Sequence, residues 1–263
     1  MSTCYNLTME FSKFTINIAQ ECGEILMQYY DKPDLKFERK GYNDPATEAD
    51  LASEKHAISK IRETYPDHAI LAEESGKSDK ESDYVWIIDP LDGTSNFKHS
   101  LPIFCVSIGL AYKGEVIAGA VYNPRTDEMF HAEKNKGAFL NGEKIKVTDR
   151  ETKEFAAVAT GFAPKPEIIE KNLPNFNKVM KEGFLIRRLG AAAIDLCYTA
   201  CGRFDGFWEI GLSQWDIAAG SLIVKEAGGK VTQINGEEFK VDSPSILATN
   251  KKLHATIQEI IND

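Results

Sequence analysis

Residues 85–94 read VWIIDPLDGT, and this stretch joins an apolar strand to a pair of carboxylates. The apolar run leads directly into Asp89, and we expect Pro90 to end the strand and let the chain turn. Asp92 follows three residues after Asp89, and residues 93–96 resemble the beginning of a helix. A turn of this kind aims two carboxylates at one point, next to the first N–H groups of the helix, which have no intrahelical partner.

The chemistry of this turn suits a cation and a phosphate group. Unpaired N–H groups at the beginning of a helix favour phosphate. Carboxylate oxygens favour hard cations, and proteins usually hold Mg²⁺ with a few carboxylates together with a phosphate of the substrate. A simpler interpretation is an Asp-Pro turn in which Asp92 caps the helix, and this stretch alone does not decide between the two.

Further acidic residues lie where other predicted elements end or begin. Glu73 and Glu74 directly follow a short apolar strand, and the alternation of side chains along a strand turns one of them toward the interior. Asp216 lies in the first turn of a predicted helix. Simpler interpretations exist here too, since Glu73 and Glu74 fit an exposed acidic loop and Asp216 fits a residue that interacts favourably with the helix dipole.

Four carboxylates at such positions cannot share one pocket as bare anions. Like charges a few ångströms apart in a medium of low dielectric constant raise each other's pKa and destabilise the fold. The residues concerned are Glu73, Asp89, Asp92 and Asp216. If these groups converge, cations must be present among them. The sequence therefore predicts a cation site on the condition that the four carboxylates lie in one pocket.

Helices and strands alternate along the rest of the chain. Apolar spacing predicts helices over residues 8–30, 47–65, 191–201 and 215–227 and a terminal helix from Lys251. Strands are predicted over residues 69–72, 84–88, 104–112, 115–123, 128–132, 156–160, 184–188, 204–210, 230–234 and 245–249, and a loop over residues 31–44. No linker or repeat interrupts this pattern, so we expect an α/β or α+β fold in one domain over residues 1–263, with halves at about 1–150 and 151–263.

The composition excludes several classes of protein. The 263 residues include 31 basic and 40 acidic ones, and the net charge of −9 argues against a surface that binds a nucleic-acid backbone. No apolar run reaches the ~18 residues of a spanning helix, and the N-terminus lacks the pattern of a signal peptide, so we expect a soluble, cytoplasmic protein without a membrane partner. Five cysteines without a CxxC pair indicate reduced thiols rather than a disulfide framework.

Five segments, taken in order along the chain, carry a family resemblance. They are NDPATEAD at residues 43–50, EES at 73–75, DPLDGT at 89–94, GAA at 190–192 and WDIAAG at 215–220. Together they resemble the inositol monophosphatase family, over a span from about Lys36 to Gly229. The resemblance implies an alternating α/β/α/β/α layered sandwich, usually assembled as a homodimer, and a Mg²⁺-dependent, lithium-sensitive phosphatase activity.

The resemblance also implies which oxygen atoms hold the metal. A first Mg²⁺ would be bound by Glu73, Asp89 and the Leu91 carbonyl. A second would be bound by Asp89, Asp92 and Asp216, so that Asp89 bridges the two ions. Glu73 would also serve a weaker third ion near residues 44–50. Two or three Mg²⁺ ions in each active site are therefore expected.

Other residues would act on the phosphate, the water and the leaving group. By the same resemblance, the backbone of Gly93 and Thr94 binds the phosphate. Thr94, supported by Asp50 and Glu73, would orient the attacking water. The substrate contacts would come from Ala192, Glu209 and Asp216, and Asp195 falls near the same wall.

The reaction that the resemblance implies is hydrolysis of inositol 1-phosphate or a similar polyol phosphate by a metal-activated water, in line and without a phosphoenzyme. Other members of the family hydrolyse fructose 1,6-bisphosphate, histidinol phosphate or 3′-phosphoadenosine nucleotides. Glu209 favours a neutral, hydroxyl-rich leaving group, whereas Arg187 and Arg188 would oppose that preference if they reached the pocket. A non-catalytic binding protein on this fold is the alternative from another class. A nucleotide-binding module is a third, but the sequence contains no GxxxxGK[ST] loop.

Overall fold

The computed structural model describes residues 2–32, 37–41 and 44–263, and these ranges contain seven α-helices and three β-sheets. The helices are α1 (Ser2–Tyr29), α2 (Glu48–Thr64), α3 (Thr94–Lys98), α4 (Pro166–Lys181), α5 (Ala192–Ala200), α6 (Gln214–Glu226) and α7 (His254–Asn262). The strands are β1 (Phe37–Gly41), β2 (Asp44–Thr47), β3 (Ala69–Ala72), β4 (Gly76–Lys77), β5 (Tyr84–Asp92), β6 (Cys105–Tyr112), β7 (Glu115–Asn123), β8 (Glu128–Glu133), β9 (Gly137–Leu140), β10 (Glu143–Ile145), β11 (Ala157–Thr160), β12 (Leu185–Arg187), β13 (Gly206–Ile210), β14 (Lys230–Thr232) and β15 (Ser245–Thr249). Lys36 and Asn43, where the family resemblance and its first motif begin, lie outside the described residues.

Two of the sheets form the body of the molecule. The strand order of the larger one is β10-β9-β8-β7-β6-β5-β3-β4, and that of the smaller one is β12-β11-β13-β15-β14. In the larger sheet β3 runs parallel to β5, whereas β5, β6 and β7 are antiparallel neighbours. The parallel pair β3 and β5 matters for function, because residues that follow two adjacent parallel strands emerge at the same edge of the sheet.

Helices cover both faces of these two sheets. α1 and α2 pack on one face of the larger sheet, α5 and α6 lie between the sheets, and α4 and α7 cover the outer face of the smaller one. The layers therefore follow the order α/β/α/β/α, which confirms the predicted fold. Apolar side chains of both sheets meet α5 and α6 in one core, and this shared core supports our proposal that residues 1–263 form a single domain.

Strand β5 is buried on both faces. Trp86 and Ile88 belong to the core beneath α1 and α2, whereas Ile87 packs with Ala218 of α6 on the opposite face. A continuous apolar run is what a strand needs when helices cover both of its faces. The run at residues 84–88 is therefore explained by the layer order, and it fixes the position of the carboxylates that follow.

The prediction that Pro90 ends this strand is wrong. β5 continues to Asp92 and pairs with β6 through a register shift between Asp89 and Asp92. Proline has no N–H to donate, so it is tolerated where the ladder is already irregular. The Pro90 carbonyl accepts a hydrogen bond of 3.1 Å from Ser53 Oγ of α2, which anchors the irregular segment.

The first two helices follow their sequence signals. On α1 the predicted apolar face is buried at Phe11, Ile18, Cys22 and Leu26. α2 begins where the sequence predicts a helix, with a capping box in which the Thr47 side chain accepts from backbone N–H groups and the Asp50 carboxylate accepts from the Thr47 N–H in return. No helix in the described part of the chain combines the length and apolar character that crossing a membrane requires.

Two elements contradict the sequence predictions. Residues 31–44 are not entirely a loop, because β1 forms within them and pairs with β2, although FERKG lacks an apolar alternation. Helix α4 forms in a stretch for which no element was predicted, and Pro174 lies in its interior, where proline disfavours helix. Asn172 of α4 is fully buried and hydrogen-bonds Trp208 Nε1 at 3.0 Å, so tertiary contacts stabilise a helix that local propensity opposes.

Candidate active site

A cavity of about 850 Å³ lies at the carboxyl end of β5. Ala72 of β3 pairs with Ile88 of β5, so the residues that follow these parallel strands come close together. The beginnings of α3, α5 and α6 contribute to the cavity wall. The lining residues that the sequence singled out are Glu73, Asp89, Leu91, Asp92, Gly93, Thr94, Ala192, Asp195, Glu209 and Asp216.

The structure brings together the four carboxylates on which the cation prediction depends. Glu73 directly follows β3, and its backbone N–H donates to the Ile88 carbonyl at 3.2 Å. Asp89 and Asp92 come from the irregular end of β5, and Asp216 comes from the first turn of α6. All four side chains line the same cavity, although the chain separates the first from the last by more than half its length.

Asp89 is the most enclosed of the four. It is 1% exposed, and its Oδ1 accepts a hydrogen bond of 3.0 Å from the Leu91 N–H. Burial raises the pKa of Asp89 well above its ordinary value, and the nearby charges of Glu73, Asp92 and Asp216 raise it further. An anionic Asp89 is therefore costly in this position unless a positive charge lies beside it.

Asp92 is held from the side of α5. Its Oδ2 accepts a hydrogen bond of 2.7 Å from the Ala193 N–H, and the Cys105 thiol donates to the same oxygen at 3.8 Å. Burial raises the pKa of Asp92 to about 7, although the hydrogen bonds from the backbone of α5 lower it. A helix of the second half of the chain thus fixes a carboxylate of the first half.

Asp216 caps helix α6 and also lines the cavity. Its Oδ2 accepts a hydrogen bond of 2.7 Å from the Ser213 N–H and so caps α6. Burial, followed by the charge of Asp92, raises the pKa of Asp216 well above its ordinary value. A carboxylate needed only for the helix dipole gains nothing from such burial, so its position in the cavity requires a second explanation.

Asp50 lies behind the cavity wall and reaches the site through Thr94. One of its oxygens accepts from the Thr47 N–H at 2.9 Å, and the other lies 3.3 Å from Thr94 Oγ1. The Thr94 hydroxyl also lies 2.9 Å from the Leu91 carbonyl, and since it has one proton it donates to one of these acceptors at a time. Burial raises the pKa of Asp50 to about 7.

Gly93 allows a backbone path that a side chain would obstruct. Its φ is +87°, and a Cβ at this position would lie 2.9 Å from the Ile103 carbonyl and 3.2 Å from Ala191 Cβ. The helix predicted after it is present, but α3 has five residues, so its dipole is small. Binding of a phosphate here would depend on individual N–H groups of Gly93 and Thr94.

Glu209 and Ala192 form another part of the wall. Glu209 belongs to β13, and its carboxylate packs directly against the Cα atom of Gly161, where any Cβ would overlap it. Burial raises the pKa of Glu209 well above its ordinary value, as do the charges of Asp216 and Asp92. The glycine at position 161 therefore makes room for the carboxylate and fixes where it lies.

Basic side chains line the same cavity as the carboxylates. They belong to Lys98, His99, Lys165 and Arg188. Both arginines of the pair in the sequence are exposed, but Arg188 lines the cavity, whereas Arg187 lies outside its lining and its Nη1 donates to the Ile186 carbonyl at 3.0 Å. Positive charge around an acidic centre favours the approach of an anionic substrate. No sequence signal identified Lys98, His99 and Lys165, because only the folded chain brings the end of α3 and the segment before α4 to this cavity.

A further residue that the sequence did not single out is Glu54 of α2. It is 4% exposed, and its two carboxylate oxygens accept from the N–H groups of Glu74 and Ser75 at 2.8 and 2.9 Å. These bonds hold the loop that presents Glu73 to the cavity. Glu54 lies on the buried face of its helix, and a buried Glu among apolar neighbours is the one signal that could have identified it.

If Glu73 binds Mg²⁺, as the family resemblance implies, Glu54→Gln is expected to weaken the binding of Mg²⁺ about tenfold, because residues that orient a metal ligand affect affinity on this scale. The amide keeps one acceptor and points an NH₂ group at a backbone N–H, so the loop at Glu73 loses an anchor. Isothermal titration with Mg²⁺ measures the effect. Glu63→Gln, an exposed substitution on the same helix, serves as the control, and equal affinities for the two variants would refute the role of Glu54.

The donor set fits a hard divalent cation such as Mg²⁺. The side chains offer oxygen donors, and burial raises the pKa of Asp89, Asp92 and Asp216, a cost that a cation would remove. Within the described ranges, no group of three His, Cys, Asp or Glu side chains forms a ready-made metal site. Mg²⁺ does not require one, because it keeps several waters and takes further ligands from a substrate phosphate.

Comparison with known proteins identifies the family. The family model described as "Inositol monophosphatase family" matches residues 8–263. The chain belongs to the inositol monophosphatase family. One relative is the Pseudomonas aeruginosa protein named "Nus factor SuhB". It is 41% identical to this chain over 245 residues, which cover 90% of each of the two chains. "Inositol-1-monophosphatase" of Caulobacter vibrioides is 40% identical over 248 residues, which covers 92% of this chain and 94% of the relative.

A solved structure agrees with this inositol monophosphatase assignment. The inositol monophosphatase from Anabaena (Nostoc) sp. matches with a TM-score of 0.85 and 38% identity, covering 98% of this chain and 96% of that chain. The family predicted from the sequence motifs is therefore confirmed, and the protein is a phosphomonoesterase. Inositol monophosphatases are generally Mg²⁺-dependent, in keeping with the oxygen donors of this cavity.

Proposed function

We propose that this phosphomonoesterase hydrolyses a polyol monophosphate, with inositol 1-phosphate as the first candidate, and transfers the phosphoryl group directly to water. The observation that carries the proposal is the convergence of four carboxylates in one cavity with Gly93 and Glu209. Such a cavity suits a substrate with a phosphate at one end and hydroxyl groups at the other. Relatives named inositol-1-monophosphatase, at 40% identity, support the same substrate class.

The metal ligands are proposed on the same grounds. Glu73, Asp89 and the Leu91 carbonyl would hold a first Mg²⁺, and Asp89, Asp92 and Asp216 a second, while Glu73 would also serve a third near residues 44–50. The charges of Glu73, Asp92 and Asp216 all act on Asp89, which supports a bridging role. When bound, these cations lower the pKa of a coordinated water and neutralise charge on the phosphoryl oxygens.

Thr94 and Asp50 would orient the attacking water. When Thr94 Oγ1 donates to the Leu91 carbonyl or to Asp50, its lone pairs remain free to accept a hydrogen bond. Asp50 is itself fixed by the cap of α2, so the orientation of Thr94 is transmitted from a rigid element. The N–H groups of Gly93 and Thr94 would bind the non-reacting phosphate oxygens. No protein nucleophile is needed for in-line displacement by water.

The leaving group would lie against Ala192, Glu209 and Asp216. The buried carboxylate of Glu209 accepts hydrogen bonds from hydroxyl groups and repels a second phosphate, which favours a neutral polyol. Arg188 opposes that preference, since it lines the same cavity. Fructose 1,6-bisphosphate, histidinol phosphate and 3′-phosphoadenosine nucleotides therefore remain the competing substrates within the family.

The proposal is tested by phosphate release with and without Mg²⁺. We expect kcat/KM to be highest for inositol 1-phosphate among the four substrates, and we expect Li⁺ to inhibit. Chelation of Mg²⁺ should reduce the rate to background, because the carboxylates alone repel the anionic substrate. Inactivity toward all four substrates in saturating Mg²⁺ would reject the proposal, and a preference for the bisphosphate would reject its choice of leaving group.

A binding role beside catalysis is favoured by one finding, namely that relatives at 41% identity carry the name "Nus factor SuhB". We propose that any such role uses the surface rather than the cavity, and a net charge of −9 favours a protein partner over a nucleic-acid backbone. A variant without phosphatase activity separates the two roles, since surface binding would survive the loss of catalysis.

The homodimer and the cytoplasmic location stay predictions. A measurement of the molar mass in solution tests the prediction of a homodimer.

A further inference from the structure

One buried carboxylate beside the cavity is not used by the functions assigned above. Asp195 lies in the first turn of α5 and is 1% exposed. Its Oδ1 has no hydrogen-bond partner within the described part of the chain. Its backbone is satisfied, because the N–H donates to the Ala191 carbonyl at 3.0 Å and the carbonyl accepts from Thr199 Oγ1 at 2.9 Å. Buried polar atoms are almost always paired in native proteins, so this oxygen requires an explanation.

Asp195 lines the cavity rather than the apolar core alone. It lies three residues after Ala192, which places both on one face of α5. The charged groups that act on it are the carboxylates of Glu209 and Asp92 and the guanidinium of Arg188. Asp195 therefore lies in the wall where the leaving group of the substrate is expected, and a ligand hydroxyl there is a candidate partner for its unpaired oxygen.

Glu209, the neighbouring acceptor, is held rigidly. Its carboxylate packs against Gly161, whose carbonyl accepts a hydrogen bond of 2.8 Å from Asn172 Nδ2. The Oδ1 atom of the same Asn172 accepts a hydrogen bond of 3.0 Å from Trp208 Nε1, and Trp208 directly precedes Glu209 in β13. Asp195 on α5 and Glu209 on β13 are thus two acidic acceptors on regular elements, and their separation is set by the fold.

We propose that Asp195 is a specificity-determining residue that accepts a hydrogen bond from a hydroxyl group of the leaving alcohol, beside Glu209. The inference rests on the proposed function, which places the leaving group at this wall. Two neighbouring acidic acceptors suit a neutral alcohol with at least two hydroxyl groups beyond the ester oxygen. When ionised, the two carboxylates also repel a second phosphate at this place, and the guanidinium of Arg188 acts on both of them in the opposite direction.

The test compares inositol 1-phosphate with cyclohexyl phosphate, which has the same ring without hydroxyl groups. Asp195→Ala is expected to lower kcat/KM for inositol 1-phosphate about tenfold, chiefly through KM, because a hydrogen bond to a charged group is lost. The rate with cyclohexyl phosphate should stay within about twofold of wild type. Asp195→Asn keeps one oxygen acceptor, so its kcat/KM for inositol 1-phosphate should fall less than that of Asp195→Ala. This difference would link the effect to hydrogen bonding rather than to side-chain volume.

Glu133→Gln is the matched control. Glu133 is 7% exposed, its Oε1 also has no partner in the described residues, and it lies at the end of β8, outside the cavity lining. This variant should leave both substrates unaffected. Equal losses on the two phosphates after Asp195→Ala would indicate a merely structural role and overturn the proposal, as would unchanged kinetics with both.

Failure of the proposed function would be recognised separately. If the wild-type protein releases phosphate from neither compound in saturating Mg²⁺, the binding of free inositol and of cyclohexanol to wild type and to Asp195→Ala is measured by calorimetry. Preferential binding of inositol that disappears in the variant would support the role of Asp195 even then. Binding without any dependence on the hydroxyl groups, or no binding, would overturn it.

Discussion

Asp89→Asn is expected to lower kcat/KM by about 1,000-fold or more. Asp89 is assigned to two cations at once, and an amide supplies neither the charge nor the second anionic oxygen that bridging requires. The substitution is isosteric, and it removes one of several like charges from a buried site, so the fold should be retained. Phosphate release in saturating Mg²⁺ measures the rate, and calorimetry measures the lost affinity for Mg²⁺.

The control for this variant is Asp67→Asn. The Asp67 side chain is 97% exposed, and its ion pair with Lys80 spans 3.8 Å, so its removal should change neither the rate nor the stability measurably. Without metal, Asp89→Asn should be at least as stable as wild type, because an uncompensated buried charge is gone. Near-wild-type turnover by Asp89→Asn would reject the bridging assignment.

Many of the helices and strands, and the segment that carries Asp89 and Asp92, were predictable because their signals are local, whereas the layer order was implied by the family resemblance. The apolar run before Asp89 matches a strand covered on both faces, and the capping box at Thr47 and Asp50 marks the beginning of α2. Glu73 was placed correctly at the end of a strand, because β3 ends at Ala72, whose partner in the parallel strand β5 is Ile88. In each case a few adjacent residues carry enough information to fix the local geometry.

The parts that the sequence did not predict depend on contacts between distant segments. α4 forms despite Pro174 because Asn172 is hydrogen-bonded to β13, and β5 continues through Pro90 because β6 pairs on both sides of the irregularity. Glu54 and Asp195 were missed or left without a role for the same reason, since only the packed structure shows that one holds the loop at Glu73 and the other faces the cavity.

The stability of Asp92→Asn relative to wild type is expected to change with pH when no metal is bound. Burial raises the pKa of Asp92 in the folded protein to about 7, above the value of about 3.9 in an unfolded chain. Below the pKa that it has in the unfolded chain, such a group makes its full contribution to the free energy of unfolding. That contribution is lost as the pH rises through the pKa that the group has in the folded protein. Between pH 6 and pH 8 wild type should lose about 1.4 kcal/mol of unfolding free energy relative to Asp92→Asn.

The comparison with the variant is essential because histidines act in the opposite direction. Burial lowers the pKa of His68, His131 and His254, so these groups stabilise the fold as the pH rises above the unfolded value of about 6.5. They are present in both proteins and cancel in the difference. Urea unfolding in the presence of a chelator at pH 6, 7 and 8 gives that difference directly.

Addition of Mg²⁺ at pH 8 should stabilise wild type more than Asp92→Asn. A ligand at 100 times its Kd stabilises the folded state by about 2.7 kcal/mol, and Asp92→Asn lacks one of the proposed ligands. Metal binding also requires ionised carboxylates, so stabilisation by Mg²⁺ should be larger at pH 8 than at pH 6. A difference that is independent of both pH and Mg²⁺ would mean that Asp92 is buried for structural reasons alone. A decline without metal and a gain with it would mean that the same buried charge destabilises the apoprotein and binds the cation.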